Sequence, residues 1–347
     1  MQMKIYLAGT SVSNPTEENN LCNLFLRGSK LHSFYHCVDG FEKKWFEMNK
    51  KNKVDLFLDS GAYSALTQGK EINLKEYIQF IKENEEVIEI YANLDVIGDA
   101  QATWNNQMIM EKEGLSPLPV YHFGESEKWL EKYLERGHDY IALGGMVKSG
   151  DLYSFLNRIF STYICDDRGY PAVKVHGFGL TSLKMMLKYP WYSVDSTSWV
   201  VTGRMGSVYV PKRKNGKWIY DENSWKVSVS LRSPDMKEAG KHITTFSPME
   251  QEIILEYIHE KGYKLGTSEF VEVEQSHKLE KNERWLDKKP VSKTDKRMLE
   301  IIIEDGISNR YQLRDEMNII YFLDLEKSMP EWPWPFKTKK RKGGFDL

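Results

Sequence analysis

Cysteine is scarce in this chain of 347 residues. There are three, Cys22, Cys37 and Cys165, and so odd and scattered a set builds no disulfide framework. No C-x-x-C pair occurs, which excludes the usual structural zinc module. The nearest approach to a ligand set is Cys22, His32, His36 and Cys37. Its spacing follows no metal pattern, and on a strand His36 and Cys37 would alternate between faces. No metal and no cofactor are expected. Net charge is lacking too: 48 Lys and Arg stand against 50 Asp and Glu, a balance of −2, so there is no global polyanion-binding signature. No apolar run approaches the ~20 residues of a membrane span. No G-x-G-x-x-G follows the first apolar run, which weakens an open dinucleotide-binding sheet as the fold. No internal repeat is found.

What is there is a series of short apolar runs: Lys4–Ala8, Ser33–Val38, Val54–Leu58, Ile88–Leu94, Leu118–Phe123, Tyr140–Leu143, Val173–Phe178 and Tyr192–Val194. Most are continuous rather than alternating, the mark of parallel strands buried on both faces. Amphipathic stretches lie between them, such as Leu74–Glu83, Thr103–Glu113, Ser126–Glu135 and Thr181–Leu187. Strand–helix alternation implies parallel crossovers, and eight runs predict a (β/α)8 TIM barrel, with an open doubly wound sheet as the alternative. The first run follows directly on Met1-Gln2-Met3-Lys4, so no signal peptide and a cytoplasmic location are expected.

The pattern changes after Asp195. Residues 200–245 mix glycines and aromatics between short β-like runs and suit an inserted loop or hairpin. Pro248–Lys261 reads as a helix. Residues 276–296, nearly all polar, read as a linker, with further helices at Asp295–Glu304 and Asn309–Glu316 and an extended arm at Trp332-Pro333-Trp334-Pro335. The expected division is a barrel over 1–275 and a C-terminal helical extension with a basic tail over 276–347. Basic residues cluster at Lys212-Arg213-Lys214 with Lys217, and at Lys337, Lys339, Lys340, Arg341 and Lys342; such local patches can grip phosphates in a neutral protein.

In a barrel, chemistry is built where the strands end. Here apolar runs end in Asp59-Ser60-Gly61-Ala62-Tyr63, in Asp95, in His122-Phe123-Gly124-Glu125, in Gly144-Gly145-Met146, in His176 to Gly179, and in Asp195-Ser196-Thr197-Ser198-Trp199. Each aspartate alone is explained by capping the next helix. Together they form a carboxylate cluster, with glycines that let backbone approach a flat ligand and with Tyr63, Met146 and Trp199 as stacking surfaces. No histidine ligand pair closes an apolar run, which disfavours metal-dependent hydrolysis. The residues suit two-carboxylate chemistry, one attacking an anomeric carbon and one moving protons. A glycoside hydrolase or lyase and a binding-only barrel remain open at this point.

Asp59-Ser60-Gly61-Ala62-Tyr63 resembles the D-S-G-G-[FY]-Q segment of tRNA-guanine transglycosylases. Ala142 to Met146 resembles their A-V-G-G-L turn, Val194-Asp195-Ser196-Thr197 their F-D-C-V segment, and Thr202-Gly203-Arg204 their S-G-R. The ordered set spans roughly residues 54–204 and is most similar to phage-type members thought to place 7-deazaguanines in DNA. The resemblance implies guanine exchange through a covalent sugar–enzyme intermediate. Asp195 matches the nucleophile and Asp59 the acid/base. Asp95 matches the carboxylate that recognises the heterocycle, and Gly144 and Gly145 the turn that reads its exocyclic oxygen. Ser60, Gly61, Tyr63, His122, Met146 and His176 complete the expected base-binding set, and Arg204, Lys212, Arg213 and Lys214 the nucleic-acid contacts. Ser64 stands where the family has Gln, and His122-Phe123-Gly124 where it has Gln-Gly-Gly. The family's C-x-C-x-x-C zinc site is missing, which tilts the expected polymer from tRNA to DNA. The expected partners are therefore DNA, with tRNA as the alternative, and a free 7-deazaguanine base such as preQ0 or preQ1. The location would be the host cytoplasm if the chain is phage-encoded.

Overall fold

The computed structural model describes residues 1–12, 14–16, 18–54, 56–146, 151–230, 232, 240–286 and 296–336. These fall into two compact units, one of Met1–Ser198 with the described residues from Phe322 onward, the other Trp199–Tyr321.

In the first unit, continuous apolar runs give strands β1 (Lys4–Ala8), β2 (Ser29–Ser33), β3 (Leu56–Asp59), β4 (Ile88–Tyr91), β5 (Val120–His122), β6 (Tyr140–Gly144), β7 (Lys174–Gly177) and β8 (Ser193–Ser196). They form one curled parallel sheet in the order β4-β3-β2-β1-β8-β7-β6-β5. Beyond the end of β4, Asn93 N donates to Leu118 O at 2.9 Å, and Leu118 N donates to Tyr91 O at 2.8 Å. Tyr6, Leu31, Phe57, Val120 and Ala142, each from a different strand, pack together with Leu118. On the sheet's other side, Leu56, Leu58 and Ile88 meet Tyr77, Ile78 and Ile81 of the helix Leu74–Glu83. Parallel pairing sets the polar strand ends side by side: Ser33 opposes Asp59, and His122 opposes Gly144.

The second strand is not where the sequence places it. The apolar run Ser33–Val38 is helical over Phe34–Asp39, and the strand is the polar-looking Ser29–Ser33. Short apolar runs do not distinguish a buried helix from a strand. The strand is disguised by Lys30 and His32, both fully buried. Lys30 Nζ bonds Gly28 O and lies 5.8 Å from the Phe25 ring centroid. His32 is held by Glu42 at 3.1 Å and by Asn49 at 2.6 Å. The arm from Glu331 packs on this unit: Trp332 N donates to Met1 O at 2.8 Å, and its indole donates to Pro190 O at 3.1 Å.

The second unit contains the expected hairpin, β10 (Lys212–Lys214) with β11 (Lys217–Ile219), after β9 (Ser207–Val210) and before β12 (Trp225–Ser228). Its turn is Asn215-Gly216, both at positive φ, as a type I′ turn requires. The helix Pro248–Glu260 starts with a Ser247/Glu250 capping box and buries Ile254, Tyr257 and Ile258 against Val208, Val210 and Val227. The expected helix Asp295–Glu304 is instead a strand, β15 (Arg297–Glu304), central between β13 (Thr267–Val273) and β14 (Glu283–Trp285). The β-branched run Ile301-Ile302-Ile303 favours a pleated surface. Glu300 is buried there because Arg284 binds it twice, at 2.8 and 3.0 Å. The region read as a linker thus contributes β14, and the last helix runs over Tyr311–Ser328 rather than Asn309–Glu316. Among the described residues, no helix is long and apolar enough to cross a membrane.

Candidate active site

The strand ends of the first unit surround a cavity of about 640 Å³. Asp59, Tyr63, Asp95, His122, Gly144, Gly145 and Met146, all singled out from the sequence, line it. A smaller hollow of about 360 Å³ lies at the opposite strand ends, beside Pro119 and Tyr140. Of its charged groups, Glu111 is already paired with Arg136 and His138.

Asp59 closes β3. The chain turns at once through Gly61, whose φ of +82° suits glycine, and a Cβ there would stand 2.6 Å from Tyr35 Cβ. Gly61 N donates to Asp59 Oδ2 at 3.0 Å. Burial, with the charges of Asp95 and Asp195 nearby, outweighs that hydrogen bond and pushes the Asp59 carboxyl up to about 8. Asp59 is therefore mainly protonated at neutral pH.

Asp95 follows β4. Ser60 Oγ donates to its Oδ1 at 2.9 Å, and its Oδ2 lies 3.0 Å from His122 Nε2. The other ring nitrogen of His122 faces Glu125 Oε1 at 3.2 Å, and Glu125 Oε2 accepts the His122 backbone N–H at 3.1 Å. Burial would lower the imidazole. Its hydrogen bonds to Asp95 and Glu125 outweigh that and push it up to about 9, so it is a cation at neutral pH. Gly144 makes room for this ring: a Cβ there would lie 2.6 Å from His122 Cδ2. Phe123 N donates to Gly144 O at 3.0 Å and ties the two strand ends together.

Asp195, on β8, is 7% exposed. It adjoins the cavity through Gly179, a wall residue whose N–H donates to Asp195 Oδ1 at 2.8 Å. Its charge is close enough to raise Asp59. His176 lies behind it, fully buried, with Nε2 3.4 Å from the same Oδ1. His176 is not on the cavity wall; burial lowers it, so the ring is neutral. Ser60 and Gly61 likewise shape the site from behind.

The site thus gathers a neutral carboxylic acid, a carboxylate pinned by one backbone amide, and a carboxylate–imidazolium–carboxylate row. Apolar walls of Phe123, Met146, Phe178 and Ile97 flank it, with Tyr63 exposed nearby. Glu125 and Gly179 stand at the strand ends read from the sequence but outside the expected base-binding set. The signal for Glu125 is its place three residues after His122, across a glycine at φ +90°.

Arg204, Lys212, Arg213 and Lys214 belong to the second unit. Arg213 is paired with Glu256 and Lys214 with Glu222, and Lys212 Nζ sits 3.4 Å from the Trp225 ring centroid. The basic tail from Lys337 to Lys342 lies outside the described residues. Of the four residues weighed as metal ligands, His32 and Cys37 do converge, with Glu42 as the third member. Both His32 ring nitrogens there are already taken, by Glu42 and Asn49.

No family model, characterised protein or solved structure matches this chain.

Proposed function

We propose that this protein is a nucleic-acid guanine transglycosylase. It would exchange guanine in DNA for a 7-deazaguanine, and its curled sheet would be a closed (β/α)8 barrel sealed by the Ala92–Leu118 bridge. The observation that carries the reading is that two carboxyl groups share one site: Asp59 lines the cavity, and Asp195 adjoins it through the Gly179 N–H, while burial and the neighbouring charges raise Asp59. A pair of carboxyl groups, one able to give a proton and one able to attack, is what acid-assisted glycosyl transfer needs.

In this reading Asp195 attacks the sugar C1′ as the bond from C1′ to the guanine nitrogen breaks. Asp59 gives its proton to the departing base, which is a poor leaving group without it. The bond between C1′ and Asp195 holds the sugar while the bases exchange. The incoming 7-deazaguanine returns its ring N–H proton to Asp59 and attacks C1′, and Asp195 leaves. Asp95 accepts the N–H groups of the base's amidine edge. His122, 3.0 Å from Asp95 Oδ2, orients that side chain for the purpose, and the backbone at Gly144 and Gly145 meets the exocyclic oxygen. The target nucleotide leaves the base stack, at a cost of about a few kcal/mol. Incubation with labelled guanine and either duplex DNA or tRNA tests the reading. Label should enter DNA. Uptake by tRNA alone would move the activity to RNA, and release of free base without uptake would make the protein a hydrolase.

A further inference from the structure

Behind Asp195 runs a buried chain of hydrogen bonds that the exchange chemistry above does not use. Tyr140 Oη lies 2.6 Å from Ser193 Oγ, and Ser193 Oγ lies 2.7 Å from His176 Nδ1. Ser193 and His176 are both fully buried. The remaining ring nitrogen, Nε2, has no hydrogen bond of good geometry and faces Asp195 Oδ1 at 3.4 Å.

We infer that His176, oriented by Ser193 and Tyr140, is a positioning residue that turns an N–H toward Asp195 Oδ1 and leaves Oδ2 as the reacting oxygen. This rests on the reading of Asp195 as the nucleophile. The chain can run in two directions, because a hydroxyl has one proton to give. In one, Tyr140 donates to Ser193, Ser193 donates to Nδ1, and the ring proton sits on Nε2, facing the carboxylate. In the other, Nδ1–H donates to Ser193 and a bare nitrogen lone pair faces a carboxylate oxygen. The second arrangement sets two electron-rich atoms together without water between them, which a buried site tolerates poorly. Tyr140, whose phenol keeps its proton because burial raises it, is able to donate the first link of that direction. Gly179 N also bonds Oδ1, so both fixed donors converge on one oxygen of Asp195. A neutral imidazole holds the carboxylate in place without the charge neutralisation an arginine would bring. The 3.4 Å separation leaves room to shorten as the site engages the sugar, as resting catalytic hydrogen bonds often do.

Nitrogen NMR of His176 in the free, full-length protein at neutral pH tests the direction without any turnover. The expected result is a neutral ring protonated at Nε2, a preference that Ser193→Ala weakens. A ring protonated at Nδ1, or at both nitrogens, overturns the inference. Kinetics supply the second arm. A hydrogen bond to a charged group is worth about 10- to 100-fold, so Ser193→Ala should slow adduct formation by that factor while base affinity stays unchanged. Adding Tyr140→Phe to Ser193→Ala should cost little more. A loss of base affinity with an unchanged adduct rate contradicts the positioning role. The two failures are separable: no adduct in the wild type overturns the nucleophile reading itself, whereas a ring protonated at Nδ1 beside a normal adduct overturns the relay alone.

Discussion

His122 Nε2 stands 3.0 Å from Asp95 Oδ2, and the imidazole that makes this contact is a cation at neutral pH. The pair sits on the cavity wall, so the charge that would recognise a base is held by a neighbouring strand end and not by solvent. Glu125 makes this possible by taking the ring's second N–H.

Glu125→Gln should therefore lower the His122 pKa and weaken base binding by roughly tenfold, one charge-assisted hydrogen bond's worth, with a smaller effect on the chemical step. Equilibrium binding of the free base across pH checks it. Affinity in the wild type should fall as pH rises through about 9, where His122 loses its proton, and earlier in the variant. Identical pH profiles would contradict the arrangement.

Asp59→Asn should abolish turnover and stabilise the fold. The sign follows from the raised pKa: folded Asp59 holds its proton up to about 8, whereas an unfolded aspartate loses it near 3.8. Its contribution to stability is whole below about 4 and is lost as pH rises through 8. The neutral amide escapes that loss, which is on the order of a few kcal/mol. Thermal melts should show the variant's advantage growing between the two values. A constant difference across this window would mean Asp59 is not held protonated. In activity, the wild-type rate should fall above about pH 8.

Gly144→Ala should be costly for a small substitution. Its Cβ would meet His122 Cδ2 at 2.6 Å, so the ring must move away from Asp95. Overpacking of this kind costs about 1–3 kcal/mol, and base affinity should fall with it. A crystal structure of the variant with His122 unmoved would refute the close fit.

For DNA, Lys337 to Lys342 should matter more than Lys212, Arg213 and Lys214, because Arg213 and Lys214 already have acidic partners. Each phosphate contact contributes about 0.9 to the slope of log affinity against log salt. Truncation after Phe336 should flatten that slope, and an unchanged slope would exclude the tail from the interface.

Much of the site could be read from the sequence, because an apolar run that stops at an aspartate is a strong local signal. Asp59 and Asp95 were found this way, and the glycines beside them are required by backbone angle and crowding. β2 is hidden in the sequence because Lys30 and His32 are polar yet buried, and the Glu42 and Asn49 that satisfy His32 are partners periodicity cannot reveal. Asp295–Glu304 reads as a helix in the sequence, and the partner that lets Glu300 be buried on a strand, Arg284, is visible only in the fold. His176 was expected to touch the base. Its register on β7 instead turns it into the packed interior among Tyr6, Phe57 and Phe178, a direction that sequence alone does not give. Glu125 stands at the same strand end in the sequence, but its contact with His122 appears only once His122 closes β5 beside Asp95.

In the proposed exchange Asp195 bonds to the sugar while Asp59 manages the proton. It is tested most directly by a denaturing gel of the protein incubated with guanine-containing DNA and a slow deazaguanine analogue. A protein–DNA adduct is expected in the wild type, none in Asp195→Ala, and some adduct or bound base surviving in Asp59→Asn. An adduct at wild-type level in Asp195→Ala would contradict it and move the nucleophile to Asp59 or Asp95.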